Sequence, residues 1–104
     1  MTRTVGARIG AILGADEEKV VKFLGYGVYE GDYVPPPEIG GFNMGLPNPR
    51  LKLDSGKIVW GCECWWGAEA GLQSQIEQWK AAGYTIVEVD IDTAREVVKQ
   101  EAKQ

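Results

Sequence analysis

All five prolines of this 104-residue chain lie between residues 35 and 49, and that clustering constrains the fold more than any other feature. Proline fixes φ near −65° and lacks an amide donor, so helix interiors and central strands exclude it. Regular structure is therefore expected before and after "GDYVPPPEIGGFNMGLPNPR" (31–50), not through it. The same stretch carries Val34, Ile39, Phe42, Met44 and Leu46, too apolar for a solvated linker. Long loops of this kind in compact domains are commonly functional. The expectation is an ordered loop that packs on a sheet or covers a cleft.

On either side of it the periodicity is informative. Val5, Ala7, Ile9, Ala11 and Leu13 alternate with Gly6, Arg8 and Gly10, the period of a half-buried strand, with Ile12 as the exception. "GADEEK" (14–19) reads as a charged turn. "VVKFLGYGVYEGD" is rich in β-branched and aromatic residues and predicts a second strand, with Gly25 and Gly27 marking bulges or a close backbone approach. "RLKLDSGKIVWGCECWW" predicts a hairpin turning at "DSGK". Leu72, Ile76 and Trp79 then recur at helical spacing, and Gly83 supplies a stop. "YTIVEVDI" predicts another strand with Val87, Val89 and Ile91 on one face. Thr93 and Glu96 have capping-box spacing at the head of a last helix.

Strands grouped before helices indicate α+β. The expected architecture is a curved, mainly antiparallel sheet of about five strands with two helices in the C-terminal half. Glycine-kinked strands would let such a sheet curl into a partly closed, SH3-like barrel. The length fits one domain, 1–104, with its long loop at 31–50.

Composition narrows the chemistry. There is no histidine, which removes the usual near-neutral general base and the commonest metal ligand. The net charge is −4 and the basic residues are scattered, so nucleic-acid binding lacks its positive field. No apolar run approaches the ~18 residues of a membrane span, and the first residues lack a signal-peptide pattern. A cytoplasmic location, with no membrane partner, is the expectation.

Both cysteines fall in "GCECWWG" (61–67). On a continuous strand Ile58, Trp60, Cys62, Cys64 and Trp66 point one way, and Val59, Gly61, Glu63 and Trp65 the other. The two thiols would then stand roughly 7 Å apart on one face, awkward for a disulfide. A structural zinc site needs four ligands, which this chain could complete only with carboxylates or a second copy. Small, buried, hydrophobe-like cysteines are the expectation, with no cofactor and no metal.

Trp65 stands apart, because it shares the outward face with Glu63. An indole beside a carboxylate on an uncovered face is a binding-surface pattern. The strand "GYGVYEGDY", with Tyr29, Asp32 and Tyr33, and the loop, with Phe42 and Asn43, are expected to wall the same region. The function this implies is non-catalytic recognition of a small molecule or a protein partner, with a homodimer compatible with the apolar loop. Two alternatives stand beside it. One is a histidine-free enzyme using Cys62 or Cys64, or pairing Glu63 with Asp32 or Asp54. The other is a structural subunit that docks through its loop.

Overall fold

The structure is a computed structural model that describes residues 4–37, 39 and 45–102, with side chains up to Val97 in the last helix. Its spine is β2 (Val20–Tyr33), fourteen residues long and central to the sheet. β1 (Arg8–Ala15) pairs antiparallel along one edge of it, from Arg8↔Val28 to Ala15↔Val21. The other edge is shared. β3 (Asn48–Leu53) lies antiparallel to its C-terminal half, and β6 (Thr85–Glu88) lies parallel to Val20–Phe23. β4 (Ile58–Trp60) continues the sheet outside β3, and β5 (Trp65–Ala68) outside β1. The resulting order, β4-β3-β2-β1-β5, is an open path; among the described residues no ladder joins β4 to β5.

Two helices follow the hairpin. α1 (Glu69–Ala81) ends where Gly83 adopts φ +93°, a value that favours glycine, and the Tyr84 amide turns back to the Trp79 carbonyl. α2 (Ile91–Ala102) begins three residues earlier than the capping-box spacing predicts. Asp90 rather than Thr93 starts it: the Asp90 carboxylate accepts the Asp92 amide at 2.9 Å, and its carbonyl accepts the Ala94 amide. Ile91 is therefore a helical core residue, and the last strand is shorter than its sequence suggests.

Side-chain alternation places the helices on opposite faces. Ile9, Ala11, Tyr29 and Leu51 form one buried cluster, continuous on the same face with Leu53, Val59 and Ile91 of α2. Leu24 and Cys64 touch both clusters. Gly10 lies on the other face, where an added Cβ would stand 2.5 Å from Leu72 of α1 and 2.9 Å from Tyr26. This explains Ile12, the exception in the alternating pattern. It is buried because α1 covers the second face of β1.

Of the glycines interrupting β2, Gly25 borders a bulge, and Gly27 marks a close approach of the β3 backbone. Register shifts between Ala11 and Gly14 leave Leu13 and Leu24 without ladder partners, and both pack against the Leu53–Val59–Ile91 cluster. The bulge thus supplies apolar cover beneath α2.

The strand expected through 58–66 is broken. β4 stops at Trp60, residues Gly61–Glu63 make one 3₁₀ turn, and the chain re-enters the sheet at Trp65 on the far side, beside β1. Glu63 starts this turn by accepting the Trp60 amide at 3.1 Å. Gly61 permits it, since a Cβ there would lie 2.7 Å from the Pro49 ring. The strand β1 is also shorter at its start than the pattern suggests, and Val5 is exposed.

Candidate functional site

β5 is a short end strand whose register sets the site. Trp66 pairs with Ala11, turns to the buried face and stacks on Tyr29 with ring centroids 5.6 Å apart and planes at 17°. Trp65 pairs with Ile12 and turns to the α1 face, where it is 73% exposed, the most exposed large apolar side chain described. Beside it runs a slot of about 260 Å³ lined by Gly10, Ile12, Gly67, Gly71, Leu72 and the indole itself, with Gln75 as the polar side chain at its edge. Glycines floor the slot on both the strand and helix sides. At Gly71 an added Cβ would meet nothing within 4 Å.

Of the other residues expected to join Trp65, Glu63 lines a cleft of about 500 Å³ with it, together with Leu13, Cys62 and Cys64, but the 3₁₀ turn aims the Glu63 carboxylate at α2. Its side chain is 11% exposed and takes a bidentate pair from Arg95 of α2, Nε and Nη2 each at 2.8 Å. That partner holds the Arg95 guanidinium more firmly charged than usual. Tyr29 is a core residue, 7% exposed, not a surface one. Its hydroxyl donates to Asp32 at 2.6 Å, and this bond raises its pKa. Asp32 is exposed there, and Tyr33 lies nearby under the Arg50 guanidinium, 3.9 Å from its ring centre, while Arg50 also pairs with Glu30 at 3.0 Å. These residues sit at the far end of β2 and β3, where Asp32 pairs with Pro49 and Tyr33 with Asn48. Phe42 and Asn43 lie outside the described residues.

Cys64 belongs with the core, whereas Cys62, in the 3₁₀ turn, is half-buried and lines a cleft. Cys64 packs against both apolar clusters, its Sγ donates to the Trp60 carbonyl at 3.5 Å, and burial pushes its pKa up to about 12. Burial, then the Glu63 charge, raises Cys62 as well. Activated cysteines need the opposite shift. Among the described residues no group of three or more cysteine, aspartate and glutamate side chains could hold a metal ion, and no helix is long and apolar enough to cross a membrane.

A larger cleft, about 550 Å³, opens where β3 and β6 diverge from β2, and Gly25 is its one mark in the sequence. Asp54, Lys57 and Asp90 on its rim are internally engaged. Arg8 forks onto Asp54 at 2.7 and 2.8 Å, and Lys57 holds Asp90 at 2.8 Å and Asp92 at 2.9 Å. A third cleft, about 460 Å³, lies between Pro36, Ile39, Trp60 and α2, and the Arg50 and Arg95 on its walls are likewise paired. The Trp65 slot differs in offering apolar surface without ion pairs to break.

Compared with protein families, curated proteins and solved structures, the chain gives no significant match in any of the three.

Proposed function

We propose that this protein is a non-catalytic binding module that takes one apolar side chain of a protein partner into the slot beside Trp65. The observation that carries this is an indole left 73% in water at the mouth of a glycine-floored groove. Tryptophan is enriched among the few residues that carry most of the energy of protein recognition. Size favours a side chain over a whole ligand, since pockets for drug-sized molecules run from about 300 to 1,000 Å³. Raised thiol pKa values and a Glu63 carboxylate committed to Arg95 support the absence of catalysis. The part of the expected aromatic and acidic surface that this uses is the aromatic one.

Trp65→Ala and Gly71→Leu test it, with Gly71→Ala as the control, using peptides selected from a random library on the wild-type protein. Trp65→Ala should change the unfolding free energy by less than about 1 kcal/mol, because so little of the ring is buried, yet weaken selected peptides at least tenfold. Gly71→Ala should raise stability by up to about 1 kcal/mol, since alanine favours the helix and the added methyl has room. Gly71→Leu should fill the slot and abolish binding. Peptides that bind both variants as well as wild type would remove the slot as the site.

A further inference from the structure

β3 and β6 share one edge of β2 without meeting. The parallel ladder of β6 ends at Phe23↔Glu88 and the antiparallel ladder of β3 begins at Gly27↔Leu53, leaving Leu24, Gly25 and Tyr26 between the two. The cleft of about 550 Å³ fills this gap. Gly25 keeps its floor open: φ is +140°, a value that favours glycine, and an added Cβ would stand 3.9 Å from Leu53 Cδ1. Unlike the Trp65 slot, the cleft has the volume of a small-molecule site, which runs from about 300 to 1,000 Å³.

Two kinds of surface meet there. Leu24, Leu53 and Ile91 bring apolar surface from the α2 face. From the α1 face come Phe23 and Tyr26, both half-buried, whose rings form an edge-to-face corner with centroids 5.0 Å apart and planes at 64°. Paired residues of neighbouring strands share a face, so the Phe23↔Glu88 register sets the Glu88 carboxylate on the same side as these rings. Charge then selects the ligand. Arg8 and Lys57 are each held by two carboxylates, Arg8 by Asp54 and Glu69 and Lys57 by Asp90 and Asp92. The head of α2, where an anion would be drawn, is taken by the Asp90 carboxylate. Burial, then the charges of Glu69 and Glu77, raises the Tyr26 phenol, so the field is negative on that side too. Glu88 itself is exposed and, among the described residues, has no ion pair. A carboxylate beside aromatic rings is the chemistry that holds organic ammonium ions.

We propose that the cleft between β3 and β6 binds a small organic ammonium ion, its charged nitrogen between Glu88 and the Phe23–Tyr26 rings and its apolar body against Leu24, Leu53 and Ile91. No internal ion pair has to break for it to enter, because the carboxylate it uses is the uncommitted one. The site is independent of the Trp65 slot, which lies along β1 and β5 on the other side of β2.

Phenethylammonium and hexylammonium chlorides are the probes, titrated at neutral pH beside the matching alcohols and carboxylates and followed by amide NMR shifts. The ammonium ions should shift the amides of Phe23–Tyr26 and Glu88–Ile91 and saturate with a Kd of about 10 mM or tighter, the range open to so few atoms. The alcohols should bind about fivefold or more weakly, and the carboxylates should not bind. Glu88→Gln should leave the urea midpoint unchanged and bring the ammonium ions down to the affinity of the alcohols. Glu17→Gln, which removes the same charge from the exposed turn between β1 and β2, should leave their affinity unchanged. Ammonium ions that do not saturate, that bind no better than their alcohols, or that respond equally to the two substitutions would overturn the proposal. Shifts centred on Trp65 instead would place the amine in the other site and overturn it equally.

Discussion

Arg95→Ala should lower the unfolding free energy by about 2–3 kcal/mol, read from the midpoint of urea denaturation at neutral pH. The substitution leaves the Glu63 carboxylate, 11% exposed, without its bidentate partner and strips the donor from the Ile58 carbonyl. Removing one member of a fully buried pair costs about 3–5 kcal/mol, and the 26% exposure of Arg95 places this pair below that range. A control separates this from surface charge in general. Lys57→Ala removes an ammonium that is 41% exposed and held by exposed aspartates, and should cost less than about 1 kcal/mol. Equal losses for the two would show that Glu63 is not committed to Arg95 in solution.

A larger loss is expected from the smallest possible addition at Gly27. An alanine Cβ there would run into the backbone carbonyl oxygen of Lys52 and stand 2.6 Å from the Leu53 Cα. Both obstacles are backbone atoms of β3, so no rotamer change relieves them, and the β2–β3 register Gly27↔Leu53 must shift. Leu53 anchors the cluster under α2, so the shift reaches the core. Gly27→Ala should cost more than about 3 kcal/mol, against the roughly 1 kcal/mol typical of a point substitution. Gly71→Ala, the same chemical change on α1, should move stability the opposite way. The pair measures how far the surroundings, not the glycine itself, set the sign.

Much of the architecture was legible because it rests on local chemistry. The hairpin around "DSGK", the helix carrying Leu72, Ile76 and Trp79, the glycine stop at 83 and the bulged second strand all follow from turn residues and periodicity. The failures share a physical cause. The 3₁₀ turn at Gly61–Glu63 keeps the alternating pattern of a strand, because its signal is a hydrogen bond from Trp60 to a side chain and a close approach of Pro49. Neither is visible as periodicity. Glu63 looked like a surface acid because its partner lies 32 residues away, on a helix packed over β3 and β4. Tyr29 looked like a surface aromatic for a similar reason. The Trp66 ring that buries it arrives from β5, two strands away across the sheet. Parallel pairing of β6 with β2 likewise carries no local mark.

Of the candidate site, Trp65 was legible, since strand alternation within "WWGA" needs only two residues to be right. Its setting was not. The slot is made by Gly10, Gly67 and Gly71, which come together only when α1 folds back over β1. A glycine at the third position of a helix was the one signal present, because it costs helix stability that alanine would not.

Isothermal titration calorimetry of one library-selected peptide against wild type and Trp65→Ala, both shown to unfold at the same urea concentration, is the most direct measurement. If the indole anchors recognition, the variant binds at least tenfold more weakly at unchanged stability. If affinity stays within twofold, binding lies elsewhere on the molecule and the exposed tryptophan has no part in it.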